Sequence, residues 1–167
     1  MKPKLFLIDA LGMIFRAYYA MIKSPRVTSK GLNTSAILGF TNMFYELVKN
    51  EKPTHIAVAF DTGAPTFRHV EFQEYKANRE ATPDDIINSV PYIKRILEAF
   101  RVPILEMDGY EADDVVGTLA KHAEIEGFDV FMVTSDKDYG QLVSPNIKMY
   151  KPGKMGQPAE ILGPEEI

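Results

Sequence analysis

The sequence contains no cysteine, so disulfide bonds and thiolate metal ligands are excluded. Histidine is scarce, and His55, His69 and His122 are too scattered to fit a metal-ligand spacing. Any bound metal is therefore expected to be a hard cation held by oxygen atoms. The sequence also lacks a GxxxxGK[ST] loop and a GxGxxG turn, so it does not indicate nucleotide cradling.

Long apolar runs are absent as well. Asp9 interrupts the N-terminal apolar stretch before it reaches the length of a signal-peptide core, and no later run approaches membrane-spanning length. A chain of 167 residues with 46% hydrophobic content is expected to form one globular domain, residues 1–167. We expect it to be cytoplasmic, without a membrane partner, and monomeric because no large exposed apolar stripe is evident.

Short apolar segments alternate with segments of helical period. Strands are predicted at 4–8, 55–60, 103–106, 129–134 and 147–150, and helix starts after Asp9, at Thr34 or Ser35, at Thr82 and at Glu111. This alternation predicts an α/β fold with a central, mostly parallel sheet flanked by helices. Residues 67–79 show little period and are predicted to form a mobile loop or arch, and residues 164–167 the first turn of a helix.

Acidic residues follow the predicted strands, in four separate segments of the chain: Asp9; Asp61; Glu111, Asp113 and Asp114; Asp136 and Asp138. The carboxyl ends of parallel strands meet at one edge of the sheet, where functional crevices lie. Two carboxylates about 4 Å apart repel by roughly 4 kcal/mol at an effective dielectric near 20. The favourable interaction of a carboxylate with a helix N-terminus offsets only about 0.3 to 1 kcal/mol of this repulsion. A single such Asp is usually a helix cap, but four segments together favour bound Mg²⁺ or Mn²⁺.

The geometry of a helix restricts how the acids after residue 110 can converge. At 100° per residue, Glu111 and Asp113 point to different sides of a helix. We therefore expect Glu111 to lie in the helix cap or in the turn before it. The net charge of −4 argues against a nucleic-acid partner, but if a metal neutralises the seven acids, the rest of the surface is mildly basic.

Several short motifs, in order, resemble the 5' nuclease domains of bacterial DNA polymerase I, which belong to the flap endonuclease family with its PIN-like fold. The matching segments cover most of the chain: 7–9, 15–18, 34–40, 59–61, 64–69, 75–79, 109–114 and 134–138. The resemblance implies a three-layer PIN-like domain with a basic arch insertion at residues 67–79. It also implies hydrolysis of DNA phosphodiesters near a 5' end or 5' single-stranded flap, in replication and repair.

The resemblance further implies roles for individual residues. Asp9, Asp61, Glu111 and Asp113 correspond to the shell of a first Mg²⁺ or Mn²⁺ ion, Asp136 and Asp138 lie toward a second, and Asp114 is in the outer shell. Lys76 and Arg79 would contact phosphates near the scissile bond, Arg68 and Arg16 would bind further phosphates, and Tyr75 or Phe15 would stack on a base. From the residues alone, segment 67–79 could equally be a solvated charged loop.

One departure from the family pattern affects the expected activity. The family continues with further aspartates for the second metal and a helical hairpin that grips duplex DNA, and neither is in this sequence. We therefore expect an N-terminal part of the nuclease domain, which binds one divalent metal well and the second poorly and has weak or no nuclease activity in isolation.

Three other functions remain open. A receiver-type signalling domain also gathers aspartates around Mg²⁺, but the basic insertion and the number of acids disfavour it. A PIN-type ribonuclease shares the same carboxylate chemistry. The third alternative is a catalytically incomplete DNA-binding module, in which the acids have only structural roles.

Overall fold

Six strands form a single sheet in the computed structural model, which describes residues 2–77, 80–154 and 156–167. The strands are β1 (Lys4–Asp9), β2 (His55–Ala59), β3 (Ile104–Leu105), β4 (Asp129–Val133), β5 (Ile147–Lys151) and β6 (Glu160–Leu162). Their order is β3-β2-β1-β4-β5-β6. All neighbouring pairs are parallel except β5 and β6, which are antiparallel.

Helices connect the strands. They are α1 (Ala10–Ala20), α2 (Ser35–Glu51), α3 (Phe67–Glu71), α4 (Asp84–Ala99) and α5 (Ala112–Ile125), with a 3₁₀ helix at Lys137–Leu142. Within the described ranges, none of the helices has both the length and the apolar character that crossing a bilayer requires.

Alternation along β1 builds two cores, one on each face of the sheet. Phe6 and Ile8 are fully buried with Phe40 of α2 and Leu97 of α4. Leu7, between them in sequence, belongs to a second core with Val116 of α5. The sheet is therefore the middle of three layers, with α1, α2 and α4 on one face and α5 on the other, which confirms the predicted α/β architecture.

The structure corrects three details of the predicted elements. Residues 67–71 form a short helix, not an irregular loop, because Thr66 and His69 hydrogen bond to each other at its first turn (Oγ1 to Nδ1, 2.9 Å). Strand β6 was not predicted, and residues 164–166 form a turn without a helix. Pro83, predicted to be the first helical residue after a Thr82 cap, is instead the N-cap of α4, which begins at Asp84.

Candidate active site

Strands β1, β2 and β4 are parallel neighbours, so their carboxyl ends share one edge of the sheet. Asp9 is the last residue of β1 and the N-cap of α1. Asp61 follows β2 by two residues. Glu111 is the N-cap of α5, as expected from the helical geometry, and Asp136 is the N-cap of the 3₁₀ helix that follows β4. The predicted convergence of acidic segments at this edge is therefore present in the fold.

Hydrogen bonds fix two of these carboxylates between the segments. The Thr134 hydroxyl, at the end of β4, donates to Asp9 Oδ2 at 3.0 Å, and the Gly12 amide donates to Asp9 Oδ1 at 3.2 Å. The Ala112 amide, in the first turn of α5, donates to Asp61 Oδ1 at 2.8 Å. These contacts join the ends of β1 and β4, and the end of β2 to α5, into one site.

The electrostatics of the site disfavour several ionised carboxylates together. Burial raises the pKa of Asp9; its hydrogen bonds oppose the shift, and Asp61 and Asp136 add to it. The pKa of Asp113 is raised by partial desolvation and then by Asp114 and Glu111. Burial is the main cause of both shifts, and in each case neighbouring carboxylates add to it.

The segment that begins with α3 supplies positive charge to the acids of α5. Lys76 Nζ lies 2.7 Å and 2.8 Å from the two carboxylate oxygens of Glu111, which is only 8% exposed, and the Tyr75 hydroxyl donates to the same group at 3.3 Å. Arg68 forms a bidentate ion pair with Asp114, at 2.7 Å and 2.8 Å. These hydrogen bonds from Arg68 hold the pKa of Asp114 below its ordinary value.

A cavity of about 540 Å³ opens beside these pairs. Its lining includes Arg68, Asp113, Asp114, Asp138, Tyr139 and Lys121. Tyr139 is 3% exposed, and its hydroxyl has no hydrogen-bond partner within the described part of the chain. Burial raises the pKa of Tyr139, and nearby carboxylates, Asp9 first among them, add to the shift. A buried hydroxyl without a partner beside several acids marks a polar environment that protein atoms alone do not satisfy.

The structure brings together most of the predicted site residues. Arg68, Tyr75 and Lys76 contact the acids of α5, whereas Arg16 lies beside a different cavity and donates to the Gly153 carbonyl at 3.2 Å. Arg79 is outside the described residues. Phe15 stacks on Tyr19 with ring centroids 6.3 Å apart.

Two residues of the site were missed by the sequence reasoning, Thr134 and Tyr139. Both lie next to the Asp136 and Asp138 segment in sequence, and that adjacency to a strand-ending acidic pair was the available signal. Their roles depend on contacts with β1 and α5, which sequence spacing does not report.

The donor atoms suit a hard divalent cation, since they are carboxylate oxygens drawn from four segments. A cation there would also lower the pKa of Asp9, which burial raises and to which Asp61 and Asp136 add. Among residues 2–77, 80–154 and 156–167, however, no three acidic or histidine side chains are already arranged to hold one metal ion. Lys76 and Arg68 engage Glu111 and Asp114 instead. The assignment of metal ligands therefore stays a prediction.

Comparison with known sequences decides the family. The sequence model described as "5'-3' exonuclease, N-terminal resolvase-like domain" matches residues 4–167. The chain belongs to this 5'-3' exonuclease family. Among curated relatives, DNA polymerase I of Bacillus caldotenax is 45% identical over 148 residues, and DNA polymerase I of Bacillus subtilis (strain 168) is 38% identical over 167 residues.

These alignments cover 88% and 99% of this exonuclease-family chain, but it spans only 16% and 19% of the two relatives. Solved structures share its fold at low identity. The T5 D15 protein co-crystallised with metal ions is 20% identical with a TM-score of 0.64, over 88% of this chain and 53% of that one. The catalytic core of Rad2 in complex with a DNA substrate is 20% identical with a TM-score of 0.59, over 99% and 49%.

The ion pair between Arg68 and Asp114 should make a pH-dependent contribution to the free energy of unfolding. We expect Arg68→Gln to lower the free energy of unfolding at pH 7 by about 1 to 2 kcal/mol, since a charge-assisted bidentate pair is lost at a partly exposed site. The pKa of Asp114 is lowered in the folded state, so the pair stabilises above the ordinary aspartate pKa and its contribution disappears as the pH falls through the folded value. Urea unfolding at pH 7 and at acidic pH measures both.

The matched control is Arg95→Gln, which removes an exposed arginine from α4. It should change the unfolding free energy by less than about 0.5 kcal/mol at either pH. An Arg68→Gln effect no larger than that of the control at pH 7 would contradict a stabilising ion pair.

Proposed function

We propose that this chain is the PIN-like N-terminal part, residues 1–167, of a 5'-3' exonuclease and flap endonuclease domain of a DNA polymerase I. In this proposal it hydrolyses DNA phosphodiesters at a 5' end or 5' single-stranded flap, in replication and repair, with Mg²⁺ or Mn²⁺. Membership of the 5'-3' exonuclease family and the similarity to DNA polymerase I support it. The monomeric state and cytoplasmic location stay predictions.

The observation that carries the proposal is the pairing of an acidic site with a basic segment. Carboxylates from four segments surround one edge of the sheet, and Arg68 and Lys76 lie directly against them. A structural acid cluster needs no such excess of carboxylates. A site that handles a phosphodiester needs cations that contact phosphate oxygens and carboxylates that hold metal ions.

The residues that would hold metal fall into two groups. Asp9, Asp61, Glu111 and Asp113 would hold the first ion, with Asp114 outside them. Asp136 and Asp138 would face the second. When bound, a pair of divalent ions lowers the pKa of water and stabilises charge on the departing oxygen. Thr134 and the Gly12 amide hold the Asp9 carboxylate in a fixed orientation for this task.

The basic segment would bind and orient the strand. Lys76 and Arg79 would contact phosphates near the scissile bond, and Arg68 and Arg16 further phosphates. Tyr75, whose ring contacts His69 edge to face at 5.3 Å, would stack on a base. In the structure described here Lys76 is paired with Glu111 instead. The proposal therefore requires Lys76 to exchange a carboxylate for a phosphate when metal and DNA are bound.

Metal binding by these acids is tested by calorimetric titration with Mn²⁺. We expect the chain to bind Mn²⁺, and an Asp113→Asn/Asp136→Asn variant to bind it at least about tenfold more weakly, because two anionic oxygen ligands become neutral amides. The variant should be folded, and removal of repulsion on Asp113 should leave its thermal stability equal or higher. Equal Mn²⁺ binding by both proteins would place the metal elsewhere.

Substrate class is tested with three labelled nucleic acids in Mn²⁺: a duplex with a 5' flap, the same duplex without the flap, and single-stranded RNA. We expect the flap to be cleaved fastest, and the Asp113→Asn/Asp136→Asn variant to lose at least about a hundredfold in rate. Because the chain spans only 16% and 19% of the two relatives, the assay includes a longer DNA polymerase I chain that carries these residues. Faster cleavage of RNA would favour a PIN-type ribonuclease.

Competition for Glu111 gives a further prediction. We expect Lys76→Met to bind Mn²⁺ about tenfold more tightly, because the carboxylate no longer has to leave an ion pair worth about 1 to 2 kcal/mol. The same variant should cleave flap DNA more slowly, since a phosphate contact is lost. Lys94→Met, which removes a lysine from α4, is the control and should change neither quantity. Unchanged Mn²⁺ affinity in Lys76→Met would mean that Glu111 is not a metal ligand.

A further inference from the structure

A second cavity, of about 280 Å³, lies at the same sheet edge on the other side of the acids. Its lining includes Arg16, Ser135, Lys151, Lys154, Gln157 and Glu160. Because β5 is parallel to β4, Lys151 at the end of β5 reaches the edge at which β4 ends. Ser135, the residue before Asp136, joins the cavity to the acidic site. We call this cavity the β5–β6 pocket.

The charge of the β5–β6 pocket is strongly positive for a protein of net charge −4. Three cationic side chains line it, and Glu160 is the single acidic residue among the lining positions. Neither Lys151 nor Lys154 forms an ion pair within the described ranges, in contrast to Lys76 and Arg68 across the site. Three cations around one cavity repel one another and gain from an anion held between them.

The connection between β5 and β6 orients the guanidinium of Arg16. Its Nη2 donates to the Gly153 carbonyl at 3.2 Å, in the connection between β5 and β6. The contact fixes one corner of the guanidinium, and its other N–H groups have no hydrogen-bond partner in the part of the chain that the structure describes. A fixed guanidinium with unused donors, beside two lysines and a serine hydroxyl, is a suitable receptor for phosphate oxygens.

We infer that the β5–β6 pocket binds a backbone phosphate of the DNA substrate, with Lys151 and Lys154 as phosphate ligands beside Arg16. This inference rests on the proposed nuclease function and adds two residues and a second anchoring point to it. The pocket takes a phosphodiester without reading the base, because its lining offers cationic and hydroxyl donors.

The sheet order sets how far this phosphate lies from the one at Lys76. The first turn of α5 lies at the end of β2, because the Ala112 amide donates to Asp61 Oδ1. From β2 to β5 there are three strand spacings, which is about 14 Å at about 4.8 Å per spacing. At about 3.4 Å per nucleotide along one strand of a duplex, the two basic regions are about four nucleotides apart. The strand would then be held on both sides of the acids, which positions the scissile phosphate between two anchors.

The test measures DNA binding without cleavage. A fluorescein-labelled 5'-flap duplex is titrated in EDTA at several salt concentrations, and binding is followed by anisotropy. We expect Lys151→Gln/Lys154→Gln to bind about tenfold more weakly at low salt, and its plot of log affinity against log salt to be shallower by 1 to 2, on the order of one unit per phosphate contact. Thermal unfolding confirms that the variant is folded.

The matched control is Lys49→Gln/Lys52→Gln, which removes the same charge from the C-terminal end of α2. It should bind like the unmodified chain. If Lys151→Gln/Lys154→Gln binds like this control, the pocket is not a DNA site, while the proposed nuclease function stands. If the unmodified chain binds no DNA, the proposed function and the inference fail together.

A third arm separates DNA from free phosphate. Inorganic phosphate is titrated calorimetrically into the unmodified chain and the Lys151→Gln/Lys154→Gln variant. We expect phosphate to bind far more weakly than the flap duplex. Phosphate binding that depends on these lysines, with DNA binding unchanged in the variant, would overturn the inference in favour of a small-anion site.

Discussion

Carboxylates at one edge of the sheet repel one another, and the other contacts of the site offset this repulsion. Parallel β1, β2 and β4 end together, so the acids that follow them cannot separate without changing the strand register. The fold offsets part of the cost locally, through the Thr134 hydroxyl on Asp9 and the Ala112 amide on Asp61. Burial is the main cause of the raised pKa of Asp9, and the neighbouring Asp61 and Asp136 add to it, so nearby positive charge would lower this pKa.

The basic segment after Thr66 brings positive charge against the acids of α5. Glu111 is nearly buried, and a buried carboxylate without a cation is strongly destabilising. Lys76, which pairs with Glu111, therefore has a structural role. In the proposed function it would also contact a phosphate. Under the proposed function, metal, lysine and phosphate would be alternative partners. A metal ion held by Glu111 would compete with Lys76 for this carboxylate, and Lys76 would then pair with a phosphate. The bidentate Arg68 and Asp114 pair can keep α3 attached to α5 during this exchange.

Features of the fold and the site that depend on residues close together in sequence could be predicted, and features that depend on residues far apart in sequence could not. The buried strands and the cap position of Glu111 follow from local period and from helix geometry, so both were predicted. Helix α3 is five residues long, too short for a period to show, and it is held by Thr66, His69 and the distant Asp114. Strand β6 has three residues and exists because β5 offers it an edge. Thr134 and Tyr139 become site residues only through contacts with β1 and α5, which no single stretch of sequence contains.

The antiparallel connection from β5 to β6 determines which residues lie at the carboxyl edge of the sheet beside β5. A parallel crossover after β5 would carry the chain to the opposite edge of the sheet. Strand β6 instead runs back antiparallel to β5, so residues 152–154 and 156–159 connect the two strands at the edge where the acids lie. Lys151 and Lys154 then line one cavity beside the acidic segments, and Arg68 lines another. A net charge of −4 is then compatible with a nucleic-acid substrate, because a strand crossing this edge meets cations first and carboxylates only where metal ions would sit.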